Sequence, residues 1–457
     1  MSRKNQAIAK ENNSSIAFFF LFLYTAAIFL RLHEAFDTSQ DWVLIKIFAI
    51  ITLIFSLLAQ RPLMISSQHV MVFLLLPVIM ISAVLNGYGM KGVSQSQLFI
   101  VSSVIPLFLY SSLLTTIKRH HIIMVTCIIA TLFMVHNGHV QRNSHIGLGW
   151  TGTYSVGDGR IAYLGFFKDP NDIGMFLVMN LPLVAYFFSQ SKTFGKLLSV
   201  CAFAALIYGI YLTDSRGTML GAAALIALYL LITKGGTKLI LFCIAVGPAL
   251  ATLIAARGGV SSDDASASGR LDAWYEGIHM LLSHPVFGVG MGNFVEWHRR
   301  TAHNSYVLLS SELGFLGYCL WAGALFLTVI AGYYVVKNKT NLLDSYKKIL
   351  TESETETKTA TSTENAETAM QLFKQELALA SALFFSMVGF LITAFFLSRS
   401  YTLLLFVFLG MNMASHYRII KLVPEFEDKF NTTRILQAIG IGWGLMVMVY
   451  ITLKVAL

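Results

Sequence analysis

Residues 303–337 read HNSYVLLSSELGFLGYCLWAGALFLTVIAGYYVVK, and from Asn304 to Val336 the only charged side chain is Glu312. About 20 apolar residues, rising ~1.5 Å each as a helix, cross a ~30 Å hydrocarbon core. At 33 residues this run exceeds one crossing, which predicts a tilted helix or one that extends into the cytoplasm. Working outward in both directions, similar runs recur near residues 16–32, 42–59, 69–86, 97–116, 120–136, 172–189, 196–213, 217–233, 238–256, 377–397, 401–417 and 435–454. The expected fold is an all-α polytopic membrane protein of about 12–13 transmembrane helices with a large, partly helical periplasmic loop.

Composition agrees. The 457 residues are 56% hydrophobic and 12% charged, with a mean hydropathy of +0.66. That is about half the ~25% charge of a soluble domain, so a string of soluble domains is excluded. The spacing of spans divides the chain into N-terminal helices (1–256), an outer loop carrying an amphipathic helix (257–303), the span 304–336, an acidic low-complexity loop (337–376) and C-terminal helices (377–457). The 337–376 loop, rich in Thr and Glu, is expected to be disordered or loosely helical and cytoplasmic. The first span follows Arg3, Lys4 and Lys10 like a signal peptide, but no small-residue cleavage site follows, so it is kept as a helix. Cys127, Cys201, Cys243 and Cys319 all fall inside apolar runs and read as small buried residues.

The net charge of +9 comes from 33 Lys+Arg against 24 Asp+Glu. With the amino terminus inside, 20 of the 33 lie in cytoplasmic segments and 15 of those are Lys, as the positive-inside rule expects. Of the remaining 13, nine are Arg. Arginine gathering on the outer side runs against that rule and needs its own reason. A planar, permanently charged fork suits bidentate contact with phosphate or carboxylate.

Three outer segments contain candidates for that role. In 257–303, Leu271, Trp274, Tyr275, Ile278, Leu281 and Leu282 follow amphipathic-helix spacing, with Ser268 the expected N-cap and Arg270 in the first turn. There Arg270 serves either an anion drawn to the helix N-terminus or the lipid headgroups. His284-Pro285 ends that helix, and Gly288, Gly290 and Gly292 predict a flexible turn; GVGMGNF lacks the dinucleotide-binding spacing. Arg216 sits in TDSRG (213–217), a three-residue connection between spans, and either pairs with Asp214 or meets an anion. His303 opens the tenth span beside Asn304, as an acid or base near neutral pH or as an ordinary helix-end residue. Glu312, nine residues on, faces the opposite side of that helix, where Lys46 is one candidate partner. The 137–171 loop adds Arg142, Arg160, Lys168 and KDPND (168–172); His136, His139 and His145 match no strong zinc spacing. No acidic DxD pair and no Walker motif is present, so nucleotide-sugar and ATP chemistry lack their usual residues.

FKDPNDIGMFL (167–177), TDSRGTMLG (213–221), SGRLDAWYEGIHMLLSHPVFGVGMGNF (268–294) and HNSYVLLSSELGFLG (303–317), in this order, resemble the O-antigen ligase/O-antigen polymerase superfamily of bacterial membrane glycosyltransferases. The resemblance covers roughly residues 160–330, and beyond them rests on hydropathy alone. It implies metal-independent, inverting transfer of a glycan from an undecaprenyl or other polyprenyl diphosphate carrier at the periplasmic face of the bacterial inner membrane, with no cofactor. The implied catalytic set is Arg216, Arg270 and His303; Arg160, Asp169, Asn171 and Asn304 are the implied substrate contacts. The implied partners are a lipid-linked glycan donor, a lipid A-core or growing-glycan acceptor, and membrane lipids, and nucleic acid drops out. A ligase acting on lipid A-core is the leading expectation. A polymerase of O-antigen or exopolysaccharide shares the donor chemistry. A transporter or flippase for an anionic solute is the reading from a different class, and would call for paired broken helices near the membrane midplane.

Overall fold

The structure, a computed structural model, describes residues 3–35, 43–59, 64–150, 160–255, 265–357 and 362–456. Among the described residues the chain is helical throughout, without a strand. The first half runs through α1 (Arg3–Leu30), α2 (Leu44–Ala59), α3 (Ser67–Leu85), α4 (Gly89–Phe99), a π-turn into α5 (Ile105–Leu113), α6 (Ile117–Ser144), α7 (Pro170–Gln190), α8 (Thr193–Leu212), α9 (Arg216–Thr233) and α10 (Gly236–Ala255). The second half holds α11 (Ala265–Ser283), α12 (Phe294–Trp297), α13 (Ser305–Lys337), α14 (Lys339–Thr357), α15 (Ser362–Thr393), α16 (Leu403–Leu422) and α17 (Thr432–Ala456). Ten helices are long and apolar enough to cross a membrane among the described residues; the apolar stretches Ser14–Leu30, Leu44–Ala59 and Gly236–Pro248 are shorter. The protein is an all-α, multi-pass membrane protein.

Burial sorts the helices. α15 and α16 are 78% buried over their most apolar windows, whereas α8, α9 and α17 stand at the rim at 28%, 33% and 22%. Central contacts are aromatic: Phe176 on α7 stacks on Phe29 of α1 and meets Phe408 of α16 edge-on. Without a hydrophobic drive between helices in lipid, close approach depends on small residues. A side chain at Gly174 of α7 would occupy the place of Thr218 of α9, and one at Gly410 of α16 would fall 2.9 Å from the Leu107 carbonyl of α5. Cys201 and Cys243 are exposed on rim helices, contrary to the expectation of burial.

The overlong run at 304–336 is not one continuous helix. It is broken at Gly314, which takes φ +64° and ψ −163°. The segment after α11 fills the break with backbone hydrogen bonds. Val289 and Gly290 N–H groups donate to the carbonyls of Ser311 and Glu312 (3.0 and 2.9 Å), while Phe315 and Leu316 donate to Pro285 and Val286 (2.7 and 3.2 Å). Irregular backbone survives at membrane depth only when its polar groups are paired this way. Gly288 (φ +68°) and Gly314 are required here, because a Cβ on Gly314 would fall 2.5 Å from the Val286 carbonyl carbon and one on Gly288 would strike the Glu312 backbone. GVGMG is therefore a packed insert, not the flexible turn its composition predicts. Glu312 follows from the same break. Its carboxylate accepts from the Phe294 N–H at 3.3 Å, and the expected partner Lys46 is exposed on α2.

Two further expectations change. α6 continues to Ser144, so His136, His139 and Arg142 lie on a helix rather than in a loop; His139 hydrogen-bonds Tyr208 at 2.8 Å. The 337–376 tract is helical over Lys339–Thr357 and from Ser362 onward, with 358–361 outside the described residues. Leu342 and Tyr346, four residues apart, give α14 an apolar stripe that packs on Phe373 and Leu377 of α15.

Candidate functional site

One end of the helical array collects the starts of α7, α9, α11 and α13 together with the connection 394–402 between α15 and α16. Each piece is held by a specific cap. Asp169 caps α7, its Oδ1 accepting from the Asn171 backbone and from Asn171 Nδ2, both at 2.8 Å. Ser215 caps α9 by accepting from Thr218 N–H at 3.1 Å, which makes Arg216 the first helical residue. Asp214 before it adopts a left-handed φ of +51°, the geometry that lets three residues reverse the chain. Asn304 caps α13 through Oδ1, which accepts from Tyr306 and Val307 at 2.9 and 3.2 Å.

Arg160 ties two of these pieces. Its Nε donates to the Thr213 carbonyl at 3.2 Å and its Nη2 to Asn171 Oδ1 at 3.4 Å. A third piece is locked by Arg399, whose guanidinium makes a two-pronged ion pair with the buried Asp172 of α7. Arg399 also donates its backbone N–H to Ser305 Oγ at 2.9 Å. Ser305 in turn donates N–H to the Ala394 carbonyl at 2.8 Å and accepts at its own carbonyl from Ser400 Oγ at 2.6 Å. The residue two positions after His303 is thus fixed on every polar atom by residues 394–400. Gly217, next to Arg216, packs on Phe396 of the same connection, where a Cβ would lie 3.0 Å from the ring-bearing carbon.

His303 stands at the junction, half-buried and with φ +48°, a strained conformation held by its surroundings. Burial lowers its pKa; Arg270, Arg300 and Arg399 push the same way, and only Asp169 opposes them. Both causes disfavour the charged ring, so His303 is a neutral imidazole at neutral pH, able to accept a proton. Arg160, Arg216 and Arg270 are all half-buried, and Arg270 acts directly on His303.

Of the residues expected from sequence, His303, Arg270 and Asp169 share one electrostatic neighbourhood, and Arg160, Asp169 and Asn171 form one hydrogen-bonded chain. Arg216 joins them through the Thr213–Arg160 bond and the Gly217–Phe396 packing. Asn304 is fully buried and its oxygen serves the cap of α13, while its Nδ2 has no hydrogen-bond partner. Ser268 is not an N-cap. α11 begins at Ala265, because the alanines before Ser268 sustain another helical turn, and Arg270 sits in the second turn. Sequence reasoning did not single out Arg399 or Arg300, and it named Asp172 only as part of the KDPND turn. Arg399 lies in LSRSY, a short turn between spans with the same pattern as TDSRG, and that parallel is the signal that was available.

Chemically, the arrangement joins a half-buried imidazole to the charges of Arg270, Arg300 and Arg399, a set suited to an anionic ligand. Comparison with known proteins points the same way. Residues 201–322 match the family model described as O-Antigen ligase, which supports placing the chain in the O-antigen ligase/polymerase superfamily. The match contains Arg216, Arg270 and His303 but not Arg160, Asp169 or Arg399. No curated protein matches the chain.

Proposed function

We propose that this chain of the O-antigen ligase/polymerase superfamily is a membrane glycosyltransferase that moves a glycan from a polyprenyl diphosphate carrier to an acceptor hydroxyl on lipid A-core, at the periplasmic face. The observation that carries this reading is the neutral, cation-surrounded His303 at the point where α7, α9, α11 and α13 begin. His303 takes the proton of the acceptor hydroxyl as its oxygen attacks the anomeric carbon from the side opposite the diphosphate. The carbon–oxygen bond to the diphosphate breaks, inverting the centre, and the electron pair leaves on a phosphate oxygen. Arg216, Arg270 and Arg160 receive that charge, the work a divalent cation performs in other glycosyl transfers. The activated carrier supplies the driving force, so no ATP is consumed.

The transporter alternative gains nothing from the break at Gly314. The Ser311 and Glu312 carbonyls at the break already accept from Val289 and Gly290, so these two do not offer the unpaired carbonyls that transporters use for ions. Arg216→Lys, Arg270→Lys and His303→Ala are each expected to cut transfer by ~10²–10³-fold or more on a purified lipid-linked donor. Full turnover by all three variants overturns the reading. A deletion strain separates ligase from polymerase: long carrier-linked chains beside bare core mark a ligase, and core bearing one repeat unit marks a polymerase.

A further inference from the structure

A second cavity, of about 470 Å³, opens beside the cluster around His303. Gly269, Asp272 and Glu276 of α11 form one wall and the segment Trp297–Arg300 the other. Asp272 and Glu276 are four residues apart and share a helix face, whereas Arg270, about 200° round the helix from Asp272, acts on His303 instead. The two sites meet at Arg300. It lines the cavity and also contributes to the field at His303, and its Nη1 lies only 2.7 Å from where a Cβ on Gly269 would sit.

The lining is chemically mixed. His298 Nε2 bonds Asp272 at 3.0 Å, and although burial alone would lower the His298 pKa, this bond, that to the Arg300 carbonyl and the charges of Asp272 and Glu276 together raise it. Trp297 is 52% exposed, with its indole held edge-on by His284 at 5.3 Å. An anion alone would meet the carboxylates of Asp272 and Glu276. A lipid chain would meet charge on both walls. Sugar hydroxyls each donate and accept, so adjacent pairs suit planar carboxylates and guanidinium groups, and the apolar C–H face of a pyranose ring suits an exposed indole.

We propose that this cavity binds an uncharged pyranose unit of the glycan chain next to the reacting sugar, and so selects which glycan is accepted. The proposal rests on the glycosyltransferase reading for its purpose, but its test does not depend on turnover. The full chain in lipid nanodiscs is titrated with the oligosaccharide repeat released by mild acid from the host's own surface polysaccharide, and binding is read by saturation-transfer NMR. Wild type and His303→Ala are expected to saturate the sugar ring protons equally. Trp297→Ala and Glu276→Gln are each expected to weaken binding at least tenfold, and Trp297→Phe to restore part of it. Lys347→Ala, on the exposed surface of α14, should bind as wild type does. Unchanged affinity in both Trp297→Ala and Glu276→Gln, or no binding by wild type, overturns the proposal. Intact binding with no transfer by wild type would instead overturn the glycosyltransferase reading and leave the cavity assignment standing.

Discussion

Two arginines in this protein each clasp a buried carboxylate with both prongs of the guanidinium, at opposite ends of the helical array. At one end Arg418 of α16 holds Glu376 of α15, with Nε–Oε2 and Nη2–Oε1 both at 2.8 Å. It also donates to the Leu114 carbonyl and lies 3.0 Å from His120 Nδ1, and only 11% of its side chain is exposed. At the other end Arg399 holds Asp172, but 36% of its side chain is exposed, and its charge acts on His303. The same chemical pair is saturated in one place and left partly open in the other. A closed pair spends its charge on joining helices, while an open pair retains charge that a ligand can meet.

Experiment can break that contrast. The largest effect is expected from Arg418→Ala, which leaves Glu376, 3% exposed, without a cation and with only the Ser415 hydroxyl donating to it among the bonds described. Removing one member of such a pair costs ~3–5 kcal/mol, read as a lower unfolding midpoint and folded yield in detergent. Wild-type stability for this variant would end the comparison. Arg399→Lys keeps the charge, and its backbone N–H can still reach Ser305, but it loses the fork that ties the 394–400 connection to Asp172 of α7. Its unfolding midpoint is expected to move little while transfer falls by roughly 10–100-fold through a displaced His303; equal losses of stability and activity would make the two arginines equivalent. The smallest effect is on pH dependence. Transfer should fail on the acid side below the ordinary histidine range, since burial and the neighbouring cations hold the His303 pKa down. Arg270→Gln removes one of those cations, so the acid limb in its residual activity should move to higher pH. A shift in the opposite direction would remove His303 from the base role.

The array itself was legible because lipid imposes one signal, a run of about 20 apolar residues, and each of the thirteen runs has its helix or apolar stretch. Arg216, Arg270 and His303 stand out in the sequence because charge at the edge of a span is costly and so conspicuous. What escaped depends on partners distant in sequence. Asp172 read as one more polar residue at a helix start, yet its meaning comes from Arg399, 227 positions later. Gly314 read as one small residue in a long span, and only residues 285–290 docking against it turn it into a break. Leu342 and Tyr346 were hidden because the Thr/Glu-rich tract after them dominates the composition of the region.

The docking at that break also bears on how the chain is assembled. Residues 285–290 and 311–316 satisfy one another's backbone, so neither can enter the hydrocarbon alone without stranding polar groups at a cost of several kcal/mol each. The outer half of α13 therefore cannot finish its insertion when it first leaves the ribosome. It must wait beside the segment made 22 to 30 residues earlier, and the two settle into the membrane as one act of folding. A defect in either glycine would then surface as a failure of biogenesis, before there was any enzyme whose rate could be measured.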